Sequence, residues 1–455
     1  MKLGTSKEVD MLHGPLLMKI IVFALPLAAS SILQQLFNSV DVAVVGRFAS
    51  SEALAAVGSN TPVINLLINL FVGISMGANV VISNHIGQRN EKNIKKAIST
   101  VALVAIISGL FLMVFGIIIA RPILTIMDTP ANVLDMAIEY LRIYFIGIPF
   151  FMIFNFGAAI LRSMGDTRRP LYILVVAGIV NTILNLIFVI YFHMGVAGVA
   201  IATAIANCIS ATLIVLLLMR EREPYRLHLN DMKIAGAELR CMLSIGIPAG
   251  VQGMVFSLSN VLLQTAINSY GSAAIAGSAA ALNFESYCYF LMVACNGTAI
   301  SFIGQNYGAG YNDRVRRIYW ICMSLAVVTC ALANWLFVWQ HDFFLSLFST
   351  DPVVMQYGSI RLHYVLAFQA IACSYEISGS ALRGMGKSML PTVMTIFGTC
   401  LLRIAWVYLV CPRYHGFEVI MMVYPVSWLL TGIMVCAAFA YTLKKRCPVT
   451  AATHA

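Results

Sequence analysis

The chain has 455 residues, 60% of them hydrophobic and only 11% charged, with a mean hydropathy of +0.86. That is far more apolar surface than a soluble fold of this length buries, so lipid is its solvent. The net charge of +10 does not point to nucleic acid, because nearly all Lys and Arg lie in short segments between apolar stretches or at their ends, where positive-inside topology accounts for them.

The run from Ile20 to Ser31 ends in small residues, as a signal peptide does. Apolar character continues to Val45, however, and Glu8 and Asp10 precede the run, so it reads as a retained first helix. A crossing helix needs about 20 mostly apolar residues. Such stretches fall at 16–46, 53–85, 95–119, 135–160, 170–192 and 196–219, and again at 242–268, 274–304, 316–340, 355–381, 391–411 and 417–443. Twenty-three Lys and Arg lie between these stretches or at their ends on one side, from Lys2, Lys7 and Lys19 to Lys444, Lys445 and Arg446, while Arg142, Arg361 and Arg403 lie inside stretches. The other side holds only Arg47, Arg121 and Arg413. A wrong helix count would scramble this alternation, and the excess assigns both termini to the cytoplasm.

Leu161-Arg162-Ser163-Met164-Gly165-Asp166 with Pro170 returns as Leu382-Arg383-Gly384-Met385-Gly386-Lys387 with Pro391, a shift of 221. Ser51-Glu52-Ala53-Leu54-Ala55 returns at the same shift as Ser272-Ala273-Ala274-Ile275-Ala276, and Ile86-Gly87-Gln88 at 217 as Ile303-Gly304-Gln305. Pro26 returns as Pro248, at 222. The repeating unit is thus six helices. An even number leaves both copies in the same orientation, related by a pseudo-two-fold axis along the membrane normal. The expected fold is an all-α membrane protein with a six-helix lobe over 1–219, a cytoplasmic linker over 220–241 containing Pro224, a second lobe over 242–443 and a tail over 444–455. Arg162-x-x-Gly165 and Arg383-x-x-Gly386 read as helix stops.

A carboxylate at bilayer depth is costly, so each one is a functional candidate. On the first helix Gln34, Asn38 and Asp41 follow at spacings of four and three, on one face. The fifth helix carries Asn181 and Asn185, and the sixth Thr203 and Asn207. At about 1.5 Å per residue, Asp41, Asn185 and Thr203 all fall roughly 8 to 12 Å from the outer end and can meet. One carboxylate among amide and hydroxyl oxygens suits a proton or a hard monovalent cation; the same polar groups could also serve as interhelical hydrogen-bonding glue. In the second half the deep acids are Glu285 and Glu376 and the deep base is Arg403. The acids could attract organic cations from a cavity or neutralise Arg403 or a loop arginine. Pro26 and Pro248 remove a backbone hydrogen bond within their helices, permitting a kink or a hinge.

No enzymatic constellation competes. The eight histidines have no metal-ligand spacing, and no G-x-S-x-G, P-loop or H-E-x-x-H occurs. The eleven cysteines, all from Cys208 onward and without C-x-x-C, read as small core residues.

Several of these residues together resemble the multidrug and toxic compound extrusion (MATE) family of bacterial exporters. They are Pro26, Asp41-Val42-Ala43-Val44-Val45-Gly46, Ala53-Leu54-Ala55-Ala56, Gly87-Gln88, Leu161 to Thr167, and Asn181 with Asn185, within a six-plus-six repeat. The resemblance spans nearly the whole chain. It implies a V-shaped pair of lobes in the plasma membrane that exports a drug-like, cationic amphiphile in exchange for H+ or Na+, without a cofactor and as a monomer among membrane lipids. Asp41 falls on the family's first-helix acid and Asn181 on its fifth-helix asparagine, so Asp41 and Asn181 are the positions for Na+. Asn185 stands where many members have a second acid. Phe256 and Ala372 stand where the NorM branch carries acids, so the chain looks more like the DinF or MepA side, with a lean toward H+. Two alternatives from other classes are a lipid-linked precursor flippase, usually of fourteen helices with a more cationic cavity, and a membrane-embedded enzyme.

Overall fold

The computed structural model describes residues 8–127, 129–414 and 416–444. Lys2, Lys7, Lys445, Arg446, His415, His454 and the tail beyond Lys444 lie outside the described residues. Among the described residues twelve helices are long and apolar enough to cross a membrane. They are α1 (Leu16–Phe48), α2 (Ser51–Gly87), α3 (Glu91–Ile126), α4 (Ala131–Ser163), α5 (Arg168–Tyr191), α6 (Gly195–Met219), α7 (Gly236–Asn268), α8 (Ser272–Gly308), α9 (Asn312–Trp339), α10 (Pro352–Gly384), α11 (Met389–Leu409) and α12 (Phe417–Lys444). The expected count holds.

Most of these helices are longer than the apolar stretches that announced them, because polar turns continue each helix past the hydrocarbon, which about 20 residues already span. α7 shows why. It begins at Gly236 rather than at the apolar run from 242, and the added turn carries Glu238, which meets His85 of α2 at 2.7 Å. Three starts are capped by a side-chain acceptor: Ser50 Oγ receives Ala53 N–H, Asn90 Oδ1 receives Asn93 N–H, and Asp351 Oδ1 receives Val353 N–H just ahead of α10.

Three helices depart from α geometry. α5 ends in a π stretch at Ile187–Tyr191, α10 is interrupted by a 3-10 stretch at Leu366–Ala372, and α11 contains a π stretch at Ile396–Leu401. Pro26 and Pro248 both sit inside their helices.

The chain packs as two compact units. One runs to Met254 and includes Gly304–Asn312; the other holds Val255–Ile303 and the chain from Asp313. Within the first unit, α2 meets the start of α7 through two glycine pairs four residues apart, Gly73 with Gly77 and Gly246 with Gly250. A Cβ on Gly73 would strike the Gly250 backbone, and one on Gly77 would strike Met242 O, so the backbones touch only because these side chains are absent. Gly87 and Gly308 make the same approach between α2 and the end of α8.

The repeated helix stops are as expected. Gly165 and Gly386 adopt φ of +99° and +77° immediately after their helices. Following the first, Asp166 Oδ1 accepts from the backbone N–H of Arg168 and Arg169, and Arg169 pairs with both Asp166 and Glu221. The segment before α1 docks on the same corner: Val9 N–H donates to Gly165 O at 3.0 Å, and Asn306 Nδ2 donates to Met11 O at 3.0 Å.

Candidate functional site

α1, α5 and α6 bring the first-half candidates to one point. Asn185 Nδ2 donates to Asp41 Oδ1, and Thr203 Oγ1 donates to Asp41 Oδ2 at 3.4 Å. Asn181 closes the ring, donating to Thr203 Oγ1 at 3.3 Å and accepting from Asn185 Nδ2 at 3.3 Å. Asp41 is 9% exposed, and no Lys, Arg or His lies within ion-pair distance of it among the described residues. The carboxylate is therefore held by neutral dipoles alone. Asn185 Oδ1 is buried without a hydrogen-bond partner, a further oxygen in a cluster of oxygens. One carboxylate with amide and hydroxyl oxygens fits a proton or a hard monovalent cation such as Na+ by the chemistry of its donors. No group of three or more His, Cys, Asp or Glu poised for a metal occurs among the described residues.

The approach of α1 to α5 depends on Gly178, where any Cβ would occupy the space of the Phe37 ring. Beside this cluster lies a cavity of about 270 Å³ within the first unit. Its wall contains Gln34, Asn38 and Asp41 from α1, Asn181 from α5, and Thr203 and Asn207 from α6. All of the polar first-half positions singled out from the sequence except Asn185 thus face one space, and Asn185 stands behind it on Asp41. The wall also holds Asn65 of α2, Tyr140 and Tyr144 of α4 and Ser210 of α6, which the sequence reading passed over. Their signal was weak. Tyr140 and Tyr144, four apart and stacked at 6.1 Å between ring centroids, look in sequence like ordinary helix packing.

The second-half candidates do not converge in the same way. Glu285 of α8 is 7% exposed and forms a two-point ion pair with Arg361 of α10, Nε to Oε1 at 2.6 Å and Nη2 to Oε2 at 2.9 Å. The arginine that neutralises it is thus Arg361, neither Arg403 nor one in a loop. Glu376 accepts from Asn296 Nδ2 at 2.9 Å. Arg403 of α11 is 1% exposed; it donates from Nη1 to Asn260 Oδ1 at 2.9 Å and from Nε to Ser427 Oγ at 3.3 Å.

Known proteins share this architecture. The probable multidrug resistance protein YoeA of Bacillus subtilis (strain 168) is 28% identical over 438 residues, covering 93% of this chain and 94% of its own length. The probable multidrug resistance protein YpnP of the same organism is 26% identical over 439 residues, covering 96% of both. The solved structure of a MOP superfamily transporter from Pyrococcus furiosus Vc1 (DSM3638) superposes with a TM-score of 0.91 at 20% identity, covering 98% of this chain and 100% of that one. The MatE family model matches twice, over residues 26–187 and 248–409, and so finds the same two repeats that the sequence shows. A twelve-helix membrane protein of two repeated halves, matched by this model over most of its length, belongs to the MatE family of transporters.

Proposed function

We propose that the protein is a secondary active exporter that moves amphiphilic, cationic small molecules out of a bacterial cell in exchange for H+ or Na+ by alternating access. The observation that carries this reading is Asp41: a buried carboxylate with no cationic partner, held by Asn185 and Thr203 against a polar cavity. Antiport requires the ion to favour one conformation over another. Charged, Asp41 favours a bound cation or a wetter surrounding; protonated, it donates a hydrogen bond and tolerates a drier one. Asp41, Asn181, Asn185 and Thr203 are the residues proposed to hold the ion, with Gln34, Asn38 and Asn207 facing the substrate in the adjoining cavity. Pro26 and Pro248 are proposed as the bends that let α1 and α7 change shape. Of the second-half acids, Glu376 is the better candidate for a substrate cation, because Glu285 is committed to Arg361.

The protein would act as a monomer among plasma-membrane lipids, its charge asymmetry placing both termini in the cytoplasm. Residues 220–241 would be the cytoplasmic linker between lobes 1–219 and 242–443. A single first-half carboxylate, with Phe256 and Ala372 where the NorM branch has acids, supports the DinF or MepA side of the family.

The test is substrate flux in proteoliposomes under an imposed H+ or Na+ gradient. Asp41→Asn keeps the volume and most of the hydrogen bonds but removes the charge. We expect equilibrium substrate binding to persist and gradient-driven flux to fall by about tenfold or more. Undiminished flux would place coupling elsewhere.

A further inference from the structure

The two halves can be compared position by position. Pro26 and Pro248 set a shift of 222 residues along α1 and α7. In α5 and α11 the shift is 221 at Pro170 and Pro391, and the two regions matched by the family model end 222 apart, at 187 and 409. One extra residue has entered α11 between these points, which is what its π stretch at Ile396–Leu401 accommodates. Beyond that stretch the counterpart of Asn181 is Arg403. The counterparts of Gln34, Asn38 and Asp41 are Phe256, Asn260 and Leu263.

Three of these counterparts, Arg403, Asn260 and Phe256, also meet in space. Arg403 Nη1 donates to Asn260 Oδ1 at 2.9 Å, and its guanidinium lies 5.1 Å from the Phe256 ring centroid. The second half therefore rebuilds the first-half polar locus with the sign reversed. The acid has become Leu263, 1% exposed, and an amide has become a guanidinium.

The charge on Arg403 is not neutralised by the protein. No carboxylate lies within ion-pair distance of it among the described residues, and the nearby Glu285 is fully used by Arg361. Arg361 and Arg403 both lie over the ring of Tyr424, at 5.5 and 4.6 Å from its centroid, so the locus carries two guanidiniums against one carboxylate. Within the Arg403 fork, Nε is engaged by Ser427 and Nη1 by Asn260, while Nη2 is buried with no hydrogen-bond partner. A buried guanidinium with one pair of N–H groups left over has a defined complement, a single oxyanion.

Polar side chains of α7 lie next to the fork. Ser257, Asn260, Gln264 and Asn268 follow at spacings of three, four and four on α7, a hydrophilic stripe along one face. Gln264 donates to Asn268 at 2.9 Å along it, and Asn260 itself is exposed. Asn260 thus joins Nη1 of the fork to the exposed face of α7.

We propose that the second half holds an oxyanion subsite formed by Arg403 Nη2, framed by Asn260, Ser427, Phe256 and Tyr424, which takes one carboxylate or phosphate oxygen of an amphiphilic ligand. Resting on the export reading above, this widens the substrate class to amphiphiles that carry an oxyanion, zwitterions among them.

Equilibrium binding to the full-length protein in neutral detergent tests it without any ion gradient, so it stands or falls separately from coupling at Asp41. The probes are 1-naphthoate and 1-naphthyl phosphate, with 1-naphthamide as the uncharged analogue. We expect both anions to bind the wild type at least about tenfold more tightly than the amide. Arg403→Gln should remove that preference while leaving amide affinity within twofold. Arg403→Lys, which keeps the charge but loses the fork, should retain only part of it, and serves if the Gln variant does not fold. Equal binding of naphthoate and naphthamide to the wild type, or a preference that survives Arg403→Gln, overturns the proposal. Displacement of naphthoate by dihexanoyl phosphatidylglycerol but not dihexanoyl phosphatidylcholine would identify a lipid headgroup as the source of the oxyanion. Absence of displacement would identify a soluble anion, and either result accords with the site.

Discussion

Asp41 and Glu285 are both buried carboxylates, and their surroundings differ in charge. Asp41 meets only amide and hydroxyl groups, whereas Glu285 meets both edges of the Arg361 guanidinium, with Gln369 donating to its backbone carbonyl at 3.0 Å. Removing one member of a buried ion pair strands the other, at a cost of about 3–5 kcal/mol, whereas removing both is far cheaper. Arg361→Gln should therefore lower the thermal unfolding temperature in detergent sharply. The double variant Arg361→Gln with Glu285→Gln should recover most of the loss. Equal unfolding temperatures for the single and double variants would show that the pair is not a closed unit. The Asp41 cluster was legible in sequence because spacings of three and four put its members on helix faces whose depths agree. The Arg361 partner was not, since pairing across helices depends on their rotation about their own axes, and α10 carries a 3-10 stretch that resets its phase just beyond Arg361.

At the scale of elements, glycine decides how closely helices approach. Within α2, Gly58 has nothing within 4 Å of the position a Cβ would take, while Gly73, Gly77 and Gly87 lie against the backbones of α7 or α8. Gly58→Ala should therefore stabilise, by up to about 1 kcal/mol from helix propensity alone. Gly73→Ala should destabilise by about 1–3 kcal/mol, since backbone rather than a movable side chain stands in the way. Unfolding midpoints of the two variants check this, and a shift of the same sign in both would refute it. The helices themselves were plain from their apolar length. Their close crossings were not, because a glycine in an apolar run looks the same whether it faces lipid or another helix.

For the whole molecule, the repeat and the twelve spans could be read from sequence because lipid imposes one long apolar period on every crossing element. The polar connection between α6 and α7 was also legible as a linker, but how it is held was not. It is tied to α3: Lys233 N–H donates to Ser99 Oγ at 2.7 Å, Ala235 N–H to Thr100 Oγ1 at 3.0 Å, and Glu223 pairs with Lys95 and His228, both at 2.6 Å. The hydrogen bond from Lys95, followed by that from His228, holds the Glu223 carboxyl below its usual range. A carboxyl whose pKa is depressed by folding contributes stability above its unfolded value and loses it as pH falls through the folded one. The wild type should accordingly unfold at a slightly higher temperature than Glu223→Gln at neutral pH, and the gap should close as pH falls through and below the ordinary carboxylate range. A gap independent of pH would mean that the side chain acts through packing instead of charge.

The docking of the lead-in segment on the Gly165 corner also orders events in time. Asn306, at the end of α8, is bound to Met11 across 295 residues of chain. During synthesis the leading segment emerges first, but its last contact cannot form until eight helices have been made. Until then the chain ahead of α1 lacks this contact, and its hydrogen bond from Val9 to Gly165 and the ion pairs of Glu8 with Arg169 and Arg222 form only after α4, α5 and α6 have been made. A nascent chain arrested before Gly304 should leave residues 9–11 open to protease, and one arrested well beyond Asn312 should close them. Met11, made before any of the twelve helices, thus waits for the eighth to gain its partner.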